Sequence, residues 1–357
     1  MRKNLLFYLP YLLILTFLVF VFCTLLSLAS GSSQIYKKSG SKDLLAVFEG
    51  NRACVFASLV PETYRERIEG VPHIVDITGE VRHMIVYGPK SSLTLTGVEP
   101  EKFRYFKPIR ISDKEYSDFI NDKKGVIIGK KVHRSFKWKN GENVTLQGLN
   151  FNVRGVFKMP LSVYNGMIVF HKDYLQELVK KKGFFTAFTI KIDSPANVGV
   201  VSKDVERLFT DHPSGIVCAP ETVFWGRTEK QMGGFGTNMR TLARLCGLFV
   251  FSVVANAVLF MGKKRKRDLK KLISEGFSRK SIFSSFLIEP IAAVTIAGIA
   301  GGLLAYGIWI KQPTIGGDQA ILPPIAISPY IIVISIMFLF AFAIVPGIYS
   351  ALKYTKE

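Results

Sequence analysis

Four long apolar runs set the strongest limit on how this chain can fold. They cover about residues 5–28, 242–261, 283–310 and 327–351. A helix needs about 20 apolar residues to cross the roughly 30 Å hydrocarbon layer of a bilayer. Each run is long enough, so the sequence predicts four membrane-spanning helices. The first run could be a signal peptide, but it is longer than a signal-peptide core, which favours a retained anchor.

Charge predicts the orientation of these helices. Residues 262–280, between the second and third runs, hold nine Lys/Arg and two acidic residues. Short loops rich in Lys and Arg stay in the cytoplasm, so this segment and both termini are expected inside. The long segment 31–240 is then expected outside. We therefore expect a multi-pass membrane protein with a large domain outside the cytoplasm.

The outer segment predicts a mixed fold. Short β-branched stretches separated by turn residues predict strands, and residues 172–181 and 197–209 predict helices. The fold class is therefore α+β: a four-helix transmembrane bundle with a large extracytoplasmic α+β domain inserted between helices 1 and 2. Within that domain we expect two lobes, with a barrel-like part near residues 124–160.

These patterns together predict the order of domains along the chain. The predicted plan is transmembrane helix 1 at 1–30, the extracytoplasmic domain at 31–240, transmembrane helix 2 at 241–262, a cytoplasmic helix at 263–282, transmembrane helix 3 at 283–311, a short extracytoplasmic loop at 312–326, transmembrane helix 4 at 327–352, and a cytoplasmic tail at 353–357.

The outer segment is also basic. It carries 32 basic and 22 acidic residues. Such a surplus could favour anionic lipid headgroups or other polyanions, or it could simply reflect a lysine-rich proteome.

The cytoplasmic segment has the pattern of a short amphipathic helix. Leu269, Leu272, Ile273, Gly276 and Phe277 recur at helical spacing and form one apolar stripe. The segment is too short and too charged to cross the bilayer. We therefore expect it to lie at the cytoplasmic face and to press on a partner protein.

This order of elements resembles the FtsX/MacB/LolC-type permeases of ABC transporters. The similarity is strongest at RDLKKLISEGFS, residues 267–278, where those families carry an R-E-I-x-x-L-R-A-L-G-A-S-like stretch that couples to the ATPase. Ser274 and Glu275 replace the usual Ala-Leu. The resemblance implies an ATPase-coupling helix formed by Arg267, Asp268, Leu269, Leu272, Ile273, Gly276, Phe277 and Ser278.

A second similarity lies in the outer domain. VIIG at 126–129, NGENVTL at 140–146 and FNVRGVF at 151–157 resemble the family forms V-x-L-G, x-G-D-x-V-x-L and F-x-V-x-G-V-F. A third lies at Glu289-Pro290, near an acid that these permeases carry at the start of their third span, and we interpret it as a hinge and polar anchor. The resemblance implies a MacB-like core domain, periplasmic or extracellular, on a protein of the bacterial cytoplasmic (inner) membrane.

The resemblance implies a function without catalysis by this chain. We expect a permease subunit that transmits ATP-driven motion to an extracytoplasmic domain, which moves a lipid, lipoprotein or other envelope substrate. No phosphate-loop motif is present in the sequence, so ATP and Mg²⁺ are expected on a separate cytoplasmic ABC ATPase, in two copies. Further expected partners are a second permease chain, identical or related, membrane lipid, and an extracytoplasmic or outer-membrane protein; no nucleic acid is expected.

Three other functions stay open. An FtsX-like chain could be a non-transporting relay that activates an extracytoplasmic hydrolase. A membrane-anchored sensor would need an output domain, which the sequence does not contain. The third alternative is an enzyme in the outer domain, but the sequence contains no catalytic motif to support it, and its histidines are not spaced as in metal sites.

Small residues and cysteines give the last candidates. Gly298, Gly301 and Gly302 in the third run form a small-xxx-small pattern that allows close helix packing. Cys54 and Cys218 lie near the two ends of the outer segment and could form a disulfide in an oxidising compartment.

Overall fold

The computed structural model describes residues 2–87, 91–160, 162–231, 234–264, 275, 278–311, 325 and 327–356. The chain divides into two compact units. One lies mainly within residues 33–234, and the other lies within residues 1–32, 235–315 and 323–357. The first unit corresponds to the predicted outer domain, and the second holds the predicted membrane helices.

Eleven α-helices occur in the described residues. In chain order they are α1 Arg2–Ser39, α2 Tyr64–Glu69, α3 Pro100–Phe106, α4 Asp113–Asn121, α5 Lys130–Phe136, α6 Lys172–Leu178, α7 Val198–Leu208, α8 Glu221–Gln231, α9 Phe235–Lys264, α10 Arg279–Lys311 and α11 Pro329–Lys356.

Eleven strands are described, all in the outer domain. They are β1 Leu44–Glu49, β2 Val60–Pro61, β3 Ile74–Tyr87, β4 Ser91–Val98, β5 Gly125–Gly129, β6 Asn143–Leu146, β7 Leu149–Phe157, β8 Met167–His171, β9 Phe184–Phe185, β10 Ala187–Ile192 and β11 Ile216–Pro220. Nine of them form one sheet in the order β11-β1-β10-β3-β4-β8-β5-β7-β6, and β2 pairs with β9.

Both faces of the large sheet are covered. Successive residues of a strand point to opposite faces, and in β1 Leu45 and Val47 join one buried cluster while Ala46 and Phe48 join the other. Helices α2, α6 and α7 contribute apolar residues to the first cluster, and α3, α4 and α8 contribute to the second. A strand buried on both sides reads as a continuous apolar run, which explains the uninterrupted LLAVF of β1.

The long strand β3 joins the two halves of the sheet. Its first half pairs with β10, from Ile74 to Glu80, and its second half pairs with β4, from Val81 to Tyr87. The expectation of a barrel-like part near 124–160 is wrong. Strand β5 pairs with both β7 and β8, and β6 ends the strand order, so these strands extend an open sheet instead of closing on themselves.

Four helices of the second unit are long and apolar enough to cross a membrane. The candidate spans are Leu9–Tyr36, Gly236–Phe260, Ile291–Lys311 and Pro329–Tyr349. All four helices contribute to one apolar core, for example through Val19, Val254, Val294 and Leu339. The predicted fold class, α+β with four membrane helices and a large domain between the first and second, is confirmed.

Candidate functional site

Seven of the eight predicted ATPase-coupling residues, all except Ser278, lie outside the described residues. The structure describes α9 up to Lys264 and α10 from Arg279, with Ser278 exposed just before α10. Helix α10 runs without a break through residues 289 and 290, where a hinge was expected. The coupling role of this segment therefore stays a prediction.

The three glycines of α10 lie where helices approach closely. A Cβ added at Gly298 would come 3.3 Å from Ile336 on α11, and one at Gly302 would come 2.6 Å from Ile332. A Cβ at Gly301 would come 2.6 Å from the backbone oxygen of Thr16 on α1. The small residues thus let α10 contact α11 on one side and α1 on the other.

A buried charge cluster lies in the outer domain, on the sheet face covered by α8. It consists of Glu80 and Arg82 on β3, Lys107 after α3, Tyr164 in the 3-10 turn Val163–Gly166, and Glu221 at the start of α8. Each of these residues is at most 2 % exposed. Two cations and two anions balance, so the cluster has no net charge.

Direct ion pairs and hydrogen bonds hold the buried charge cluster together. Arg82 donates to the Glu80 carboxylate, and Lys107 donates to the Glu221 carboxylate. The Tyr164 hydroxyl lies 3.2 Å from Glu80 Oε2 and accepts a bond of 2.9 Å from Arg82 Nη2. Lys107 Nζ lies 3.8 Å from Glu80 Oε1, which links the two ion pairs.

The cluster shifts the pKa values of its members in opposite directions. Burial would raise the pKa of Glu80, but the charges of Arg82 and Lys107 outweigh it and hold this pKa below its usual range. Burial would lower the pKa of Lys107, but Glu221 and Glu80 raise it above its usual range. Burial and the Glu80 charge raise the pKa of Tyr164. Glu80 and Lys107 therefore stay charged at neutral pH, and Tyr164 stays neutral.

Aromatic rings surround the Arg82 guanidinium. Its carbon lies 4.5 Å from the Trp225 ring centroid and 4.7 Å from that of Phe224, both on α8. Arg82 Nε and Nη1 have no hydrogen-bond partner among the described residues. Cation–π contact stabilises a desolvated guanidinium, so the ring faces of α8 take the place of those partners.

The end of α1 contacts the same region. Ser39 Oγ accepts a hydrogen bond of 2.9 Å from the Val163 backbone N–H, next to Tyr164. The Ser41 backbone N–H donates to Glu221 Oε2 at 3.2 Å. A Cβ at Gly40 would come 2.7 Å from the Thr222 backbone nitrogen, so only glycine allows this approach. The segment that follows the first span is therefore fixed to the segment that leads to the second.

Cys54 and Cys218 are separate thiols in this structure. Cys218 on β11 is buried among the apolar residues of one sheet face, and burial raises its pKa to about 12. Cys54 is exposed, just before the turn at Val55. The disulfide considered from the sequence is not formed here.

Sequence reasoning missed the buried charge cluster. Glu80 and Arg82 are two residues apart on β3, so they share a face of the sheet, and this spacing was the available signal. Lys107, Tyr164 and Glu221 are distant in sequence and carry no local pattern. Only the sheet topology brings them together.

Two family models match the chain. One is described as the FtsX-like permease C-terminal and matches residues 241–357, and the other is described as the MacB-like periplasmic core domain and matches residues 11–208. None of the curated proteins matches.

Solved structures also resemble the chain. One is the extracellular domain of the noncanonic ABC-type transporter YknZ from Gram-positive bacteria, with 17% identity and a TM-score of 0.39, covering 49% of this chain and 98% of that chain. Another is the periplasmic region of MacB from Actinobacillus actinomycetemcomitans, with 15% identity and a TM-score of 0.40, covering 54% of this chain and 94% of that chain.

Proposed function

The chain belongs to the FtsX/MacB-type family of ABC transporter permeases, and from this premise we propose that it transmits ATP-driven movement to its outer domain. Permeases of this family are membrane subunits that are generally non-catalytic. ATP and Mg²⁺ would be bound by two copies of a separate cytoplasmic ATPase. A second permease chain, identical or related, would complete the complex.

The proposal places the chain in the bacterial cytoplasmic membrane with both termini inside. Residues 263–282 would receive the movement of the ATPase, as the basic and amphipathic pattern of that segment indicates. The outer domain would act on a lipid, lipoprotein or other envelope substrate, alone or with an extracytoplasmic or outer-membrane partner.

One observation carries the proposal beyond family membership. Residues 39–41 and the start of α8 are fixed to each other and to β3 through Glu221, Lys107 and Glu80. Directional bonds between buried charges hold one geometry, because breaking any one of them leaves an uncompensated charge. A displacement of either chain segment entering the outer domain would therefore move the nine-stranded sheet as a body.

The first test is the partner. The full chain, tagged and purified in mild detergent, should retain a phosphate-loop ATPase that mass spectrometry identifies. The purified complex should hydrolyse ATP at a rate that differs from that of the ATPase alone. Recovery of the chain with no ATPase under several detergents would contradict the proposal.

The second test is transmission, with a matched pair of glycine variants. Gly40→Ala places a methyl group against the Thr222 backbone and should separate the two segments, whereas Gly226→Ala on α8 meets nothing within 4 Å. We expect Gly40→Ala to keep the ATPase bound and to lower substrate-dependent stimulation of ATP hydrolysis several-fold. Gly226→Ala should leave both unchanged, and equal behaviour of the two variants would contradict the role of this contact.

A further inference from the structure

One short stretch of the outer domain concentrates positive charge. Residues 130–139, KKVHRSFKWK, hold five Lys/Arg and no acidic residue. We call this stretch the basic segment; it consists of α5 and the three residues that follow. Three of its cations, Arg134, Lys137 and Lys139, are exposed. Part of the positive charge of the outer domain is therefore gathered on one small surface.

The basic segment has a defined shape. Lys137 ends α5 in the left-handed conformation, with φ 58°, and its backbone N–H donates to the His133 oxygen at 2.8 Å. His133 Nδ1 lies 2.7 Å from the Trp138 oxygen, and the Trp138 ring stacks on Phe136 with centroids 4.5 Å apart. The exposed cations thus flank a pair of half-buried aromatic rings on a fixed turn.

The fold places the start of the basic segment close to Ser39, the last residue of α1. Strand β5 runs antiparallel to β8, so the carboxyl end of β5, where α5 begins, lies beside the 3-10 turn that precedes β8. A Cβ at Gly129 would come 2.4 Å from the Asn165 oxygen in that turn. The same turn donates to Ser39, three residues after the candidate span ends at Tyr36.

From this placement we propose that the basic segment is a docking surface for the anionic phospholipid headgroups of the outer leaflet. Headgroup layers extend about 5–7 Å beyond the hydrocarbon on each side, and Ser39 is about 5 Å of helix past the span. Lys and Arg near an anionic membrane surface are attracted to it, and a tryptophan ring such as that of Trp138 suits the interface.

This proposal goes beyond transmission and is independent of it. It requires only that the chain is anchored in a membrane with residues 33–234 outside. A failed ATPase test would leave it intact, and a failed lipid test would leave the ATPase proposal intact.

The first experiment uses the unmodified full chain in nanodiscs of phosphatidylglycerol or of phosphatidylcholine. A water-soluble amine-acylating reagent labels exposed lysines, and mass spectrometry gives the rate at each site. We expect Lys137 and Lys139 to react more slowly in phosphatidylglycerol, by up to about fivefold, the gain for one cation at an anionic surface. The exposed Lys180, Lys182 and Lys203 should react equally in both lipids. Equal rates at Lys137 and Lys139 in the two lipids would overturn the proposal.

The second experiment uses charge reversal with a matched control. The docking variant is Arg134→Glu, Lys137→Glu and Lys139→Glu, and the control is Lys180→Glu, Lys182→Glu and Lys203→Glu. Both sets change the net charge equally, and each contains one left-handed position, since Lys180 has φ 56°. In mixed nanodiscs the docking variant should lose part of the phosphatidylglycerol enrichment around the protein, and the control should keep it. Equal loss in both would overturn the proposal.

Soluble polyphosphate distinguishes the other source of anionic phosphate. When polyphosphate is added to phosphatidylcholine nanodiscs, it should give Lys137 and Lys139 little protection from acylation if the basic segment binds a lipid surface. Protection by polyphosphate without any protection by phosphatidylglycerol would assign the segment to a soluble polyanion and would overturn the lipid proposal. High salt should abolish the difference between the two lipids, because it screens exposed charges.

Discussion

The outer domain and the membrane helices bury different kinds of polar group. In the outer domain, Glu80, Arg82 and Lys107 are buried as full charges, and Lys107 bonds to Glu221, 114 positions away. In the membrane unit, the described groups Thr24 and Ser335 are buried as neutral hydroxyls. Ser335 Oγ accepts from Cys23 Sγ at 3.4 Å and Thr24 Oγ1 accepts from Trp309 Nε1 at 2.9 Å, each from another helix, and both hydroxyls also donate to a backbone oxygen of their own helix.

This difference indicates how strongly each region resists a shift of its elements. Bonds between charges on different elements fix one arrangement, since any shift exposes an unpaired charge in a dry interior. A neutral hydrogen bond between two helices contributes less, about 0.5–1.5 kcal/mol, and the contacts between α10 and its neighbours depend on small residues and apolar surface. We therefore expect the buried charge cluster to resist displacement more strongly than the contacts between membrane helices.

The largest expected effect comes from breaking the buried charge cluster. Lys107→Met leaves Glu221 and Glu80 with one cation fewer in a buried site. Removing one partner of a buried ion pair costs about 3–5 kcal/mol. Urea unfolding of the full chain in detergent, followed by tryptophan fluorescence, should show that the free energy of unfolding of the outer domain falls by that amount and that the urea midpoint falls with it.

A double variant tests whether the balance of charge, and not the lysine side chain itself, stabilises the buried charge cluster. Lys107→Met with Glu221→Gln keeps the cluster neutral, because one cation and one anion are removed together. We expect it to be more stable than Lys107→Met alone. If the single and double variants unfold at the same denaturant concentration, charge balance does not stabilise the cluster.

A smaller effect is expected from filling a close contact between membrane helices. Gly301→Val places side-chain atoms against the Thr16 backbone oxygen, and overpacking costs about 1–3 kcal/mol. Gly307→Val, on the same helix, meets nothing within 4 Å and serves as the control. Thermal aggregation of the detergent-solubilised chain should occur at a lower temperature for the first variant only. Equal midpoints would show that α10 can move away from α1 without cost.

The smallest effect concerns a partly exposed carboxylate in the outer domain. Burial would raise the pKa of Asp122, but Asn152 and Arg154 outweigh it and lower this pKa below 3.8. A lowered pKa in the folded state stabilises the fold above about pH 4, and this contribution is lost as the pH falls through the folded value. Exposed ion pairs contribute about 0.2–1 kcal/mol. Asp122→Asn should therefore flatten the acid dependence of unfolding slightly, as urea midpoints between pH 3 and 6 would show; an identical slope would contradict it.

Local patterns were sufficient for much of the fold. The apolar runs predicted the membrane helices, and the resemblance to the permease family is confirmed by the two family models. Ser112 caps α4, and its side chain accepts from the Glu115 backbone N–H three residues later. These features depend on residues close together in sequence, so periodicity and capping reveal them.

Long-range pairing was not accessible in this way. Strands within 124–160 alternate as barrel strands do, and the alternation is the same in an open sheet. What excludes a barrel is the pairing of Val126 on β5 with Phe170 on β8, 44 positions later. The buried charge cluster was missed for the same reason, because Lys107 meets Glu221 across 114 positions.

The position of β1 has a consequence for how the protein is made. Strand β1 follows the first membrane helix, yet its two neighbours are β10 and β11, which the ribosome adds after residue 186. The translocating chain therefore leaves LLAVF without sheet partners until nearly the whole outer domain has been exported. Since strand edges left open in this way invite aggregation, the early strand must be shielded while the later ones are synthesised. Completion of the sheet then coincides with delivery of the second span to the insertion machinery.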